Sequence, residues 1–153
     1  MNVNPNVLLD KDFESGVISK FIKKYGLEPK DIVFEITERT PIQSELLFKD
    51  TLNHYKEQGY LVALDDFGSA YAGLERLLST KPDFVKFDIS MIRNVNNDKI
   101  KQSLLRHMVD FCKEYSIRTI AEGIETEEEI TTLKELGIDM GQGFYYSKPV
   151  DNF

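Results

Sequence analysis

The chain has 153 residues, and its 26 acidic side chains outnumber 19 basic ones to give a net charge of −7 with both histidines neutral. A composition of 41% hydrophobic residues with nine Gly and five Pro describes one globular domain with a core, not a disordered tail or a fibrous repeat. Apolar runs such as residues 61–64 reach about four residues, against roughly 18 or more for a membrane-spanning helix. The opening MNVNPN lacks the basic start and apolar stretch of a secretory signal, so a cytoplasmic location is expected. A single cysteine, Cys112, excludes an internal disulfide framework and a cysteine-rich zinc site. The acidic balance argues against a sequence-independent grip on a nucleic acid polymer, but not against a small phosphorylated ligand held through metal ions.

Short apolar runs alternate with longer amphipathic stretches. A strand is expected at residues 1–4, a helix at 13–25, a strand at 31–36 and a helix at 44–58. Then come a strand at 61–65, a helix at 71–78, a strand at 84–88, a helix at 99–115, a strand at 118–121, a helix at 127–136 and a strand at 139–145. Gly26, Gly59 and Gly137 stand just past helix ends, where a left-handed residue closes the last turn. Thr126 with Glu129 three residues later reads as a capping box. In the helix at 99–115, Leu104, Leu105, Met108, Val109 and Cys112 fall on roughly one face, which makes Cys112 a small core residue. Strict β/α alternation implies a parallel sheet covered by helices, either an open doubly wound sheet or a (β/α) barrel.

The carboxyl ends of these strands are acidic. Glu35 and Glu38 close the second strand, Asp65 and Asp66 the third, Lys86 and Asp88 the fourth, and Glu122 and Glu125 follow the fifth. Gln142 stands between two glycines near the sixth, and Asn2 and Asn4 lie in the first. If the strands are parallel and adjacent, these groups share one rim, and carboxylates that close stay ionised only with cations nearby. Oxygen donors suit magnesium or manganese, whereas His54 and His107 fall inside expected helices and are poor candidates for ligands. Consecutive residues on a strand point to opposite sides, so Asp65 and Asp66 need a turn to reach one site, and Phe67 with Gly68 is expected to supply it. Lys86 could hold the attacking water or neutralise a phosphate. Taken singly, any of these acids could instead be a helix cap or a solvated group.

Five ordered segments resemble the EAL domain, a bacterial family that hydrolyses the second messenger cyclic di-GMP to a linear dinucleotide. They are FEITE (34–38), ALDDFGSAYAGL (63–74), VKFD (85–88), AEGIET (121–126) and GQGFYYSKP (141–149). The resemblance implies a TIM-type (β/α) barrel, with about six strands and five helices of the family's eight-stranded barrel in residues 1–153. It implies that Glu35 and Asp65 hold one metal together with Asn2, the best match to the family's amide ligand, with Asn4 the alternative, that Asp66 bridges to or holds a second, and that Glu122 binds that second metal or acts as base. Lys86 matches the family's catalytic lysine and Gln142 a glutamine near the site. Asp88 falls in the lysine-bearing segment, and Glu38 and Glu125 match acids that steady the loop after the paired aspartates.

The chain contains no Glu-Ala-Leu tripeptide, the signature whose glutamate is a family metal ligand. It aligns from the family's third strand onward, so an incomplete barrel is expected, one that dimerises, swaps elements or is completed by further chain. Two functions follow from the resemblance. One is a phosphodiesterase dependent on Mg2+ or Mn2+ and acting on cyclic di-GMP, with turnover impaired in this form. The other is a noncatalytic module that binds cyclic di-GMP or dimerises.

Overall fold

The computed structural model describes residues 17–37, 45–69 and 73–148. Five parallel strands, β1 (Val33–Thr37), β2 (Leu61–Phe67), β3 (Phe84–Phe87), β4 (Arg118–Ala121) and β5 (Met140–Gly141), lie side by side in chain order. Helix α1 (Val17–Lys24) precedes β1, α2 (Glu45–Glu57) joins β1 to β2, and α3 (Gly73–Thr80) joins β2 to β3. A short α4 (Ile89–Ile92) and the long α5 (Lys99–Glu114) join β3 to β4, and α6 (Glu127–Leu136) joins β4 to β5. Turns of 3₁₀ helix at Pro29–Asp31 and Val95–Asn97 complete the described elements. The sequential order contains no reversal, so it lacks the switch point of a doubly wound sheet and is the winding of a TIM-type barrel, here an incomplete one. No described helix is long and apolar enough to cross a membrane.

Strand pairing divides the side chains into two faces. Phe34, Ile36, Val62, Leu64, Val85, Phe87 and Ala121 are buried on the face that the helices cover. Ile36 and Val62 meet Phe48 and Leu52 of α2, and Phe34 meets Ile22 of α1 and Tyr60. The largest cluster joins β2, β3 and β4 to Leu105, Val109 and Cys112 of α5 and to Ile130, Leu133 and Leu136 of α6. Cys112 is thus a core residue, and burial pushes its thiol up to about 11. The other face carries Glu35, Ala63, Asp65, Phe84 and Lys86, because Glu35 pairs with Ala63 and Ala63 with Phe84.

Helix ends follow the sequence signals. Gly26, Gly59 and Gly137 all have positive φ, and Gly137 closes α6 while Thr126 and Glu129 cap its start in both directions. Two expectations change. The strand expected at 139–145 pairs only over Met140–Gly141, because the chain then turns: Tyr146 N donates to Gly143 O and Tyr145 N to Ile124 O. The apolar run around FVKFDISMI conceals α4, which begins where the Asp88 carboxylate accepts the Ser90 N–H. The strand expected at 1–4 lies outside the described residues.

At the amino ends of the strands an aspartate reaches sideways twice. Asp83, just before β3, accepts Val62 N at 2.8 Å, and Asp139, just before β5, accepts both Thr119 N and Thr119 Oγ1 at 2.7 Å. Thr119 is fully buried, so losing its acceptor leaves polar groups without a partner. Asp139→Ala is expected to cost about 2 kcal/mol of stability, measured as a lowered urea midpoint with an unchanged denaturant slope.

Candidate active site

Alternation along each strand brings the site together. Asp65 follows Ala63 by two residues on β2, and Lys86 follows Phe84 by two on β3, so both stand on the inner face near the carboxyl rim. Lys86 pairs in register with Ile120 of β4, and two residues further on Glu122 reaches the same rim. Glu35 sits one rung lower on β1. Lys86 Nζ lies 2.8 Å from Asp65 Oδ1, 2.9 Å from Glu122 Oε1 and 3.5 Å from Glu35 Oε1, with its side chain only 9% exposed.

Asp66 joins this rim by a device other than the expected turn at Phe67 and Gly68. The β2 to β3 register runs from Leu64 with Val85 to Phe67 with Phe87, so β2 carries one extra residue: a β-bulge that spans the two aspartates. Asp66 takes up the bulge with a left-handed φ of 57°, a conformation that aspartate tolerates better than most residues. Strand β2 then continues to Phe67 before Gly68 turns the chain. As a result Asp65, Asp66 and Glu122 each offer an oxygen, all within 4.8 Å of one another.

The electrostatics follow from this crowding. Burial alone draws the Lys86 ammonium toward neutrality, but hydrogen bonds and charge from Asp65 and Glu122 outweigh it and hold Lys86 above the usual lysine range. Burial raises the Glu122 carboxyl, Lys86 opposes that rise, and the charges of Asp65 and Asp66 add to it. Gln142 Nε2 donates to Glu122 Oε1 at 2.6 Å, the same oxygen that meets Lys86. The backbone fixes that approach, since Gln142 N donates to Ala121 O and Ile124 N donates to Gln142 O.

The remaining sequence candidates stand around this centre. Asp88 uses Oδ1 to cap α4, the ordinary alternative for a strand-end acid. Glu125 takes a forked ion pair from Arg93, with Nη1 and Nη2 each 2.5 Å from a carboxylate oxygen. Arg93 carried no sequence signal, because its partner lies 32 residues away. The buried Glu129 does more than cap its own helix: its carboxylate accepts Asn94 N and Glu125 N at 2.9 Å and Thr126 N at 3.3 Å. It therefore ties the segment after β3 to the one that begins with Glu122. His54 and His107 are exposed, near Gln58 and Ser103 O respectively. Asn2, Asn4 and Glu38 lie outside the described residues.

The donor set fits a divalent cation. Asp65, Asp66 and Glu122 offer only hard carboxylate oxygens, with Glu35 one rung away, and such ligands suit magnesium, manganese or calcium better than zinc. Fold and site together define a TIM-type parallel β/α domain whose carboxyl rim gathers carboxylates with the donor chemistry of a cation site.

Within that class the chain belongs to the EAL domain family, whose model matches residues 1–149. The probable cyclic di-GMP phosphodiesterase PdeG of Escherichia coli K12 is 38% identical over 120 residues, which is 78% of this chain and 24% of that protein. The chain thus spans about a quarter of the length of that curated relative. The manganese and cyclic di-GMP complex of Klebsiella pneumoniae BlrP1 is 33% identical with a TM-score of 0.89, over 97% of this chain and 38% of that one. The EAL domain of Mycobacterium smegmatis DcpA is 31% identical with a TM-score of 0.88, over 97% of this chain and 66% of that one.

Glu129 yields a pH test. Burial by itself would raise its carboxyl, but the three backbone N–H donors and Arg93 outweigh burial and hold it below its ordinary value of 4.5. A depressed carboxylate contributes stability that is fully present above the unfolded value and is lost as pH falls through the folded one. Glu129→Gln is therefore expected to be less stable than the parent at pH 7 by about 2 kcal/mol, with the gap shrinking below pH 4.5 in denaturant titrations at several pH values.

Proposed function

We propose that this chain carries the catalytic rim of a cyclic di-GMP phosphodiesterase dependent on Mg2+ or Mn2+, which hydrolyses one phosphodiester bond to give the linear dinucleotide. The observation that carries the reading is Lys86 Nζ set among Asp65, Glu122 and Glu35, with the bulged Asp66 closing an all-oxygen donor group. PdeG, named as a probable phosphodiesterase of this substrate, and BlrP1, solved with manganese and cyclic di-GMP, support the substrate and the metal. Asp65, Asp66 and Glu122 would hold the metal, with Glu35 beside them facing Lys86. Bound metal would supply an activated water and stabilise the leaving oxygen.

The chain's own groups do the rest. Lys86 presents a positive charge to a phosphate at the rim. Both neighbours of Glu122, Lys86 and Gln142, bond to Oε1, which leaves Oε2 as the atom for a cation or for the proton of the attacking water. Burial raises the Glu122 carboxyl above the ordinary carboxylate value, the direction that makes it a better proton acceptor. Glu125, locked to Arg93, and Asp88, locked to α4, hold the surrounding segments in place. Residues 1–153 contain no Glu-Ala-Leu tripeptide, and turnover by these residues alone is expected to be slow.

With Mn2+ and cyclic di-GMP, chromatography is expected to show a slow release of linear dinucleotide. Asp65→Asn combined with Asp66→Asn is expected to reduce that release by at least roughly a hundredfold. Turnover that survives the double change would sink the reading, as would the absence of any Mn2+-dependent binding of cyclic di-GMP. Among the described residues β1 and β5 each pair on one side only, and we read these edges as sites for a second copy or for further chain. Light scattering is expected to report an oligomer, and a monodisperse monomer would overturn that part.

A further inference from the structure

The cation that neutralises this rim in the structure is the protein's own. Lys86 Nζ lies 2.8 Å from Asp65 Oδ1 and 2.9 Å from Glu122 Oε1, and these are two of the three carboxylates that converge within 4.8 Å as a candidate cation cage. An ammonium ion and a divalent cation therefore draw on the same donors. They cannot both hold Asp65 and Glu122 as they stand, since an ammonium and a metal ion repel and each wants the same lone pairs.

Lys86 also has a place to retreat to. Glu35 Oε1 stands 3.5 Å from the ammonium, on β1 and so on the side of β3 away from Glu122, one rung below Asp65. The lysine stem is flexible enough to move its point charge by that order of distance while its root stays in β3. The side chain is 9% exposed, so the charge stays at the rim and does not escape to solvent.

We propose that Lys86 is an internal counter-cation of the site: it holds Asp65 and Glu122 together until a divalent metal displaces its ammonium toward Glu35. This inference rests on the metal reading of the rim, and it adds a competition that sets the metal affinity. Lys86 keeps the carboxylates ionised and correctly spaced, and it makes the site more selective by demanding a cation strong enough to take its place.

The test uses metal alone, with no nucleotide. Titration calorimetry with Mn2+ is expected to show that Lys86→Met binds the ion at least roughly tenfold more tightly than the parent, because the competing charge is gone. In chelator, Lys86→Met is expected to melt below the parent, and saturating Mn2+ is expected to raise its Tm by more than it raises the parent's. Lys86→Arg, which keeps the charge, is expected to show no such gain in affinity.

A Lys86→Met protein that binds Mn2+ with unchanged or weaker affinity overturns the competition while leaving the metal site standing. Failure of both proteins to bind Mn2+ overturns it together with the reading beneath it. If Lys86→Met does not fold, the parent protein still decides the matter by side-chain ammonium NMR with diamagnetic Mg2+. The Lys86 signal is expected to shift and lose protection from hydrogen exchange as Mg2+ saturates, and a Lys86 signal that stays put while the Asp65 and Asp66 signals move overturns the inference.

Discussion

The buried ammonium of Lys86 is the interaction on which the rim depends. Glu35, Asp65 and Glu122 come from three different strands, and their shared positive neighbour offsets their mutual repulsion. Such an arrangement is a poor way to gain stability, because the desolvation of buried charges consumes most of the Coulomb attraction, and well-packed apolar residues would serve as well. The rest of β3 shows the alternative: Phe84, Val85 and Phe87 are all buried and apolar, and Lys86 alone interrupts them. A lysine there makes sense as part of a site, and the neighbouring acids explain why it stays charged.

The bulge in β2 has the same logic. A regular strand would send Asp65 and Asp66 to opposite faces, and one of them would enter the apolar layer under the helices. One extra residue and one left-handed aspartate turn both to the rim at the cost of one interrupted ladder rung. The next corner leaves little room: a Cβ on Gly68, which has a φ of 97°, would stand 2.1 Å from Met91 Sδ. Met91 belongs to α4, whose first turn is capped by Asp88. The turn after β2 and the segment after β3 therefore pack closely against each other at this point.

The parts of this arrangement that follow from periodicity were legible in the sequence. The succession of strands and helices along the chain, helix ends at glycine and the capping box of Thr126 with Glu129 need only local information, and the acids at strand ends announce a polar rim wherever parallel strands lie adjacent. Partner choice was not legible. Nothing in AEGIET says that Glu125 will meet Arg93, or that Glu129 will accept an N–H from Asn94 across 35 residues. The bulge was missed for a different reason: it shows only as a change in register between two strands, and a single chain has no register until its neighbour is placed. The short β5 reflects tertiary override, since GQGFY has the composition of a strand but its backbone groups bond to Ile124.

The two ends of the sheet use the same residue type in opposite ways. At the amino end, Asp83 and Asp139 spend their carboxylates on the backbone N–H groups of Val62 and Thr119, with a hydroxyl added in the second case. Fixed backbone dipoles solvate those charges, so they need no cation and simply splice neighbouring strands. At the carboxyl end, Asp65, Asp66, Glu35 and Glu122 meet few such donors and instead face one another, an ammonium and one amide. What separates the two sets of acids in this fold is therefore whether the backbone has already neutralised them. Among the described residues, Glu35, Asp65, Asp66, Asp88, Glu122 and Glu125 lie at or beside the carboxyl rim with Lys86 among them, so negative charge collects at the end of the sheet where the backbone leaves most of it uncompensated.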